Sequence, residues 1–199
     1  MLPVDIIGAG DHMKIIMTQG EVVFTPPYDR HTTDRILAAL GLTVDDLLSD
    51  LPVQEVSTGH SKVMVPIRSV DTLDSLMPNM DALVACSRAT QCNGFFVFAF
   101  NDEDDLALTS GRMFAPAVGI PEDPVTGNGN GPCGAYLSQH GRLPDRDVVS
   151  YCGRQGVAMG KEGVIEVTVH RHNGRPDTVQ VGGLAVEAGQ MEVVLESPS

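Results

Sequence analysis

Basic residues are scarce in this 199-residue chain: 13 Lys and Arg stand against 26 Asp and Glu, a formal net charge of −13. Neutralising phosphates needs clustered cations, and no basic stripe exists, so nucleic acid and anionic membrane surfaces are excluded as expected partners. Long apolar runs are missing too. None approaches the roughly 20 residues of a membrane span, and the start of the chain, with Asp5 near its beginning, lacks the charged-then-apolar plan of a signal peptide. These absences point to a soluble, cytoplasmic protein. Cys86, Cys92, Cys133 and Cys152 form no C-x-x-C pair, so reduced thiols are expected and neither a disulfide framework nor structural zinc is supported. His170 and His172 flank Arg171 on one face of a predicted strand and read as a polar outer surface, not a ligand pair. There are no internal repeats, low-complexity tracts or Pro/Ser linkers.

What the chain does contain is an alternation of short strand and helix signals. Residues 12–25 alternate and pause at Gln19 and Gly20. After Pro26 and Pro27, Ile36, Leu37 and Leu40 share one helical face, with Thr32 or Thr33 as cap and Gly41 as stop. Thr43 and Asp46 resemble a capping box that opens a second short helix carrying Leu47 and Leu48. Strands are expected at Val53–Val56 and Lys62–Ile67, with His60 in the polar turn between them, read as solvated. Helical pieces follow near 69–76 and 79–91, the latter capped by Asn79. The run from Gly94 to Phe100, GFFVFAF, predicts a central strand buried on both faces.

The charge run at 101–105 lacks the glycine and distal glutamate of a calcium loop and reads as a solvated turn. Beyond it lie strands at 106–114, 148–157 and 163–171, a hairpin signal at Asn173-Gly174, and strands at 178–181, 184–186 and 191–195. Mostly antiparallel sheet with a few short helices is an α+β pattern.

One stretch concentrates special residues: Met113 to Leu137, MFAPAVGIPEDPVTGNGNGPCGAYL. Pro121 and Pro124 fix the backbone around Glu122 and Asp123, while Gly127, Gly129 and Gly131 let a ligand or a neighbouring chain approach closely. A helix following this loop would point the amides of 127–130 into whatever the loop encloses, which is a ready anion site.

The segment RMFAPAVGIPEDPVTGNGNGP resembles the signature of the PhzF-like isomerases, the phenazine-biosynthesis proteins (PhzC/PhzF) and their relatives of diaminopimelate-epimerase fold. STGHSKVMVPI at 57–67, CNGFFVF at 92–98, GRQGVAMGKEG and VGGLAV support the same resemblance, and the Asn in TGNGNGP is similar to the YddE-like subgroup. The resemblance implies two lobes, each a curved and mostly antiparallel sheet around a central helix, with the active site between them. One complete lobe is then expected at 31–181 with its central helix near 128–140, a remnant of the first lobe at 1–30, and strands returning to that lobe at 182–199. By the same resemblance Asp123 is the acid/base aspartate, and the Gly127 amide lines the substrate site. Asn128 stands where phenazine-pathway members have serine, and Thr126 orders the loop or touches the ligand.

The implied reaction is cofactor-free and metal-free proton transfer on a small carboxylate-bearing substrate, an isomerisation or epimerisation. Family members carry the opposing base, a glutamate in an SET-type motif, and a histidine in a GH-type motif within an amino-terminal part. Nothing before Met13 matches either, so a partner chain or a homo-oligomer is expected to complete the site. The alternative is an inactive, truncated relative that serves as a binding or scaffold protein.

Overall fold

The computed structural model describes residues 2–102, 106–186 and 189. The strands are β1 (Val4–Ile7), β2 (Lys14–Thr18), β3 (Val23–Phe24), β4 (Gln54–Ser57), β5 (Ser61–Ile67), β6 (Phe95–Phe100), β7 (Thr109–Ala115), β8 (Ile120–Asp123), β9 (Val148–Gln155), β10 (Gly163–His172) and β11 (Arg175–Leu184). The helices are α1 (Arg30–Leu40), α2 (Val70–Asp74), α3 (Met80–Thr90) and α4 (Gly127–Gln139). All strands belong to one sheet, ordered β1-β2-β11-β10-β9-β7-β6-β5-β4-β3, with β8 paired to β7 off that path. Pairing is antiparallel except for β5 with β6 and β7 with β9.

The strand order explains the pause at Gln19 and Gly20. β2 and β3 follow one another in the chain yet lie toward opposite ends of the sheet. The link crosses the gap between those ends: the Gln19 amide donates to Val179 O of β11 at 2.9 Å, and the Gly20 amide donates to Thr58 O at 2.8 Å. With that seam bridged, the sheet curls around α4, which packs against β11, β10, β5 and β4. This is the mixed α+β, diaminopimelate-epimerase-like architecture.

α4 is buried from Gly129 to Ser138, and a helix enclosed on several sides must be thin. A Cβ on Gly134 would sit 2.6 Å from the Val167 side chain, and one on Gly131 would sit 1.9 Å from the Gln19 side chain. Small residues are therefore a steric requirement at both positions. The helix starts five residues before Pro132, which lies inside it.

Two cores share the sheet. On its outer face α1 and α3 pack Ile36, Leu37, Leu40 and Leu83 against Val63, Val65, Phe95 and Val97. On its inner face Met64, Phe96, Phe98 and Met113 meet Cys133, Ala135, Tyr136 and Leu137 of α4. Side chains alternate along β5 and β6, so each strand feeds both cores and its sequence reads as a continuous apolar run.

Several local expectations shift. The cap of α1 is Asp29, whose carboxylate accepts from the Thr32 amide at 2.7 Å, so the helix begins earlier than Thr32 or Thr33 would set it. Gly41 does end it in a left-handed conformation (φ 77°). The Thr43–Asp46 capping box is present, but it closes only a 3₁₀ turn at Val44–Asp46, with Leu47 and Leu48 beyond it. β11 runs unbroken through Gly182 and Gly183, because β2 pairs with it there and supplies the ladder partners that glycine still needs. Asn173 and Gly174 form the β10–β11 turn, both with positive φ. Part of the charge run (103–105) and the expected strand at 191–195 lie outside the described residues.

Candidate active site

The entrance of α4 opens into a cleft of about 390 Å³. Its floor and one wall come from the β8–α4 loop: Asp123, Thr126 and Asn128 all face it. His60 and Lys62 enter from the start of β5, Asn93 from the turn before β6, and Met113, Ala115, Val118 and Ile120 supply an apolar side. The loop is local in sequence, so three of the four expected residues line the cleft without any long-range coincidence. Gly127, the fourth, lies at the helix entrance between Thr126 and Asn128.

A buried amide fixes the geometry of Asp123. Gln155 Nε2 donates to the Asp123 carbonyl at 2.6 Å and to Thr126 Oγ1 at 3.1 Å, while its Oε1 accepts from the Thr126 amide at 3.0 Å. With that acceptor role filled, the Thr126 hydroxyl directs its proton to Asp123 Oδ2 at 2.5 Å. Thr126 is thus the residue before the helix, but its side chain caps the carboxylate instead of the helix. Asn130 Nδ2 also donates to Gln155 Oε1, at 2.9 Å, which ties the first turn of α4 to β9.

The neighbouring acid has a different task. Glu122 forms a two-pronged pair with Arg112, Nε to Oε1 at 2.8 Å and Nη2 to Oε2 at 2.9 Å. Arg112 Nη1 also donates to Leu73 O and Leu76 O at the end of α2. The alternation of a β-strand sends Glu122 to this structural anchor and Asp123 to the cleft.

The amides of 129 and 130 are not free, contrary to the simplest reading of the glycine-rich entrance: both donate to Thr126 O, at 3.1 and 3.0 Å. The Gly127 and Asn128 amides make no such bond among the described residues and are the donors left for a ligand. His60, expected to be solvated, is exposed but stands on the rim of this cleft. Sequence reasoning passed over Lys62, Asn93, Gln19 and Gln155. A lysine on the same strand face as Met64, inside an otherwise apolar run, was the available signal for Lys62. Among the described residues no group of three or more His, Cys, Asp or Glu side chains is placed to hold a metal, and no helix is long and apolar enough to cross a membrane. The four cysteines are free thiols.

A second hollow of about 550 Å³ lies between Val125 and the margin made by β2, β10 and β11. Met17, Val164 and Leu184 are exposed there, and Val4, Ile6 and Ile7 of β1 are exposed on the adjoining edge strand.

A curved sheet around a small-residue helix, with an aspartate and free amides at the helix entrance, defines the class of epimerase-like folds. The family model for phenazine biosynthesis-like proteins, PhzC-PhzF, matches residues 1–190, and the chain belongs to that family. It is 47% identical to an uncharacterised isomerase of Clostridium acetobutylicum over 98% of this chain and 65% of that protein. It is 46% identical to the uncharacterised isomerase YddE of Escherichia coli K12 over 94% of this chain and 62% of that one. A more distant relative, the trans-2,3-dihydro-3-hydroxyanthranilate isomerase of Pseudomonas fluorescens, is 29% identical over 80% of this chain and 52% of its own length. The crystal structure of a PhzF-family phenazine biosynthesis protein from Bacillus anthracis superposes with a TM-score of 0.81 at 24% identity, covering 98% of this chain and 65% of that one. The chain therefore spans 62–65% of the length of the Clostridium, Escherichia and Bacillus relatives.

Proposed function

We propose that this chain carries the Asp123 wall of an isomerase that moves a proton, without a cofactor, on a small carboxylate-bearing substrate. The observation that carries the reading is a hydroxyl-held carboxylate facing a cleft at the entrance of α4, where the first two helix amides have no hydrogen bond among the described residues. A base removes a proton from the carbon beside the carboxylate or unsaturated system, and the electron pair spreads onto oxygen. The Gly127 and Asn128 amides stabilise that developing charge. Asp123, entering the step protonated on Oδ1, delivers that proton at the new position and is left as the carboxylate, while the base keeps the proton it removed until both groups exchange with solvent. Thr126 keeps the carboxylate pointed, since its hydroxyl donates to Oδ2 and leaves Oδ1 for the substrate.

The base opposite Asp123 comes, in this reading, from a further stretch of protein, a partner chain or a second copy. Support is found in the apolar margin of β1, β2 and β11, where Val4, Ile6, Met17 and Leu184 are exposed. By the family resemblance this margin would belong to what remains of the first lobe and its returning strands. A second reading is favoured by the position of His60 on the rim, which would let that imidazole act as the opposing group.

Solvent deuterium incorporation into a panel of small unsaturated carboxylates, followed by mass spectrometry, tests the proposal. Exchange by the assembled protein that falls in Asp123→Asn supports it. No exchange with any carboxylate under conditions where one binds the cleft contradicts it and leaves a binding protein. Loss of exchange in His60→Asn by the ~10²–10⁴-fold typical of a general acid or base selects the second reading over the first.

A further inference from the structure

The proton-transfer reading leaves the polar side chains of Lys62, Asn93 and Asn128 in the cleft unused, with Gln19 hydrogen-bonded behind Asn128. Gln19 is buried under the α4 entrance, with its Nε2 position 3.1 Å from Gly127 O. A backbone carbonyl only accepts, so the Gln19 atom facing it must be the amide nitrogen. The same nitrogen lies 3.2 Å from one polar atom of Asn128, which must in turn be the acceptor Oδ1. The other end of Gln19, Oε1, accepts from the Thr58 hydroxyl at 2.7 Å. Gly131 leaves room for it, since a Cβ there would sit 1.9 Å away. One fixed acceptor therefore decides the orientation of both amides. Asn128 Nδ2 is left facing the cleft, with no hydrogen bond among the described residues.

Lys62 reaches the same cleft from β5. Val63, Val65 and Ile67 of that strand pack in the outer core, whereas Lys62 shares the inner face with Met64. The residue is 5% exposed, and its ammonium has one hydrogen bond among the described residues, to Ser61 O at 3.1 Å. Burial pushes its pKa down, while Cys92 and Glu55 act in the opposite direction. A lysine that only covered apolar surface would keep its head in water. A head drawn in with one carbonyl partner retains donors to offer, and an anion beside it offsets the cost of its burial.

We propose that Lys62 and the outward Asn128 amide form a donor pair that selects an anionic oxygen of the ligand, with Lys62 as specificity determinant and Gln19 as the positioning residue. The proposal rests on the reading of this cleft as the substrate site and names the side chains that read the substrate's charge. From these two residues the ligand meets N–H groups alone. A carboxylate satisfies them, whereas the isosteric carboxamide brings an NH₂ that finds no acceptor on either.

Benzoate and benzamide are a matched pair for the test, read by amide-resolved NMR titration of the full chain. Benzoate is expected to shift the Asn128 side-chain and Gly127 backbone signals and to bind at least about tenfold more tightly than benzamide, a difference of about 1.4 kcal/mol. Lys62→Met is expected to lose most of that preference while benzamide binding stays the same. Gln19→Glu replaces the donor with an acceptor, so Asn128 turns its Nδ2 inward, offers Oδ1 to the cleft, and the preference shifts toward benzamide. Equal affinity for the two probes in the unmodified protein, including no binding of either, overturns the proposal. So does a benzoate preference that survives Lys62→Met in a folded protein. Deuterium exchange is a separate readout: its absence alongside an intact benzoate preference removes the acid–base role of Asp123 and leaves this assignment standing.

Discussion

The outer face of the sheet, under α1 and α3, and the inner face, around α4, are made by the same strands and filled by different chemistry. Outside, Ile36, Leu37, Leu40, Leu83, Phe95 and Val97 close a core held by apolar burial. Inside, apolar packing of Tyr136, Phe98 and Val167 is threaded by Gln19, Gln54, Thr58, Asn130 and Gln155, all buried and hydrogen-bonded. Burial is non-directional and tolerates changes of shape at constant volume. A buried amide is directional, and replacing it leaves its partners without a bond. The outer core therefore makes the fold stable, whereas the inner network also sets where the Asp123 carboxylate and the Asn128 amide point.

That contrast can be broken at four places. Arg112→Met should have the largest effect on stability, about 3–5 kcal/mol, because it leaves Glu122 unpaired and frees the end of α2. Chemical denaturation measures it, and a change below 1 kcal/mol, on the order of a surface ion pair, would show that the anchor is dispensable. Leu37→Ala, in the fully buried outer core, should cost about 2–5 kcal/mol and leave ligand binding by the remaining folded protein unchanged. Gln155→Leu should cost less, about 1–3 kcal/mol, yet weaken catalysis, because the Thr126 amide loses its acceptor, Asn130 Nδ2 keeps only Thr126 O, and the Asp123 carbonyl loses its donor. A Gln155→Leu protein with full activity would separate the inner network from the site.

The smallest effect concerns pH. His140, which caps the end of α4, faces Gln54 Oε1 at 2.8 Å. Gln54 Nε2 is committed to Thr25 O at 2.6 Å, so Gln54 Oε1 accepts and His140 Nε2 carries a proton. Burial lowers its pKa from the ordinary 6.5. Above 6.5 both folded and unfolded chains are neutral there. As pH falls below 6.5 the unfolded chain binds the proton first, and stability declines until the depressed native value is passed. His140→Gln should flatten the stability profile in that window. An unchanged slope would mean that another group sets it.

Elements whose signals are local were legible from the residues alone. The GFFVFAF run names a strand buried twice, Asn79 accepts from the Ala82 amide as a cap should, and Asn173-Gly174 turns a hairpin. The helix-entrance loop was legible for the same reason, since 123–128 form one continuous stretch. Asp29 was missed because two prolines before it hide where the helix begins, and the Thr43 turn because a capping box does not determine how far the helix continues. Lys62 and Gln19 were invisible as cleft residues because their roles depend on the curl of the sheet. Only when β2 and β3 part toward opposite margins does Gln19 come under α4, and only then does the inner face of β5 meet the loop after β8.

The most direct test of the division between the two faces is solvent-deuterium incorporation by Asp123→Asn beside Leu37→Ala, each compared with the unmodified protein at equal folded fraction. The account predicts a loss of about 10²–10⁴-fold in Asp123→Asn with unchanged melting, and near-normal exchange per folded molecule in Leu37→Ala despite its lower stability. Exchange that persists in a folded Asp123→Asn protein would contradict the assignment of the chemistry to the inner face.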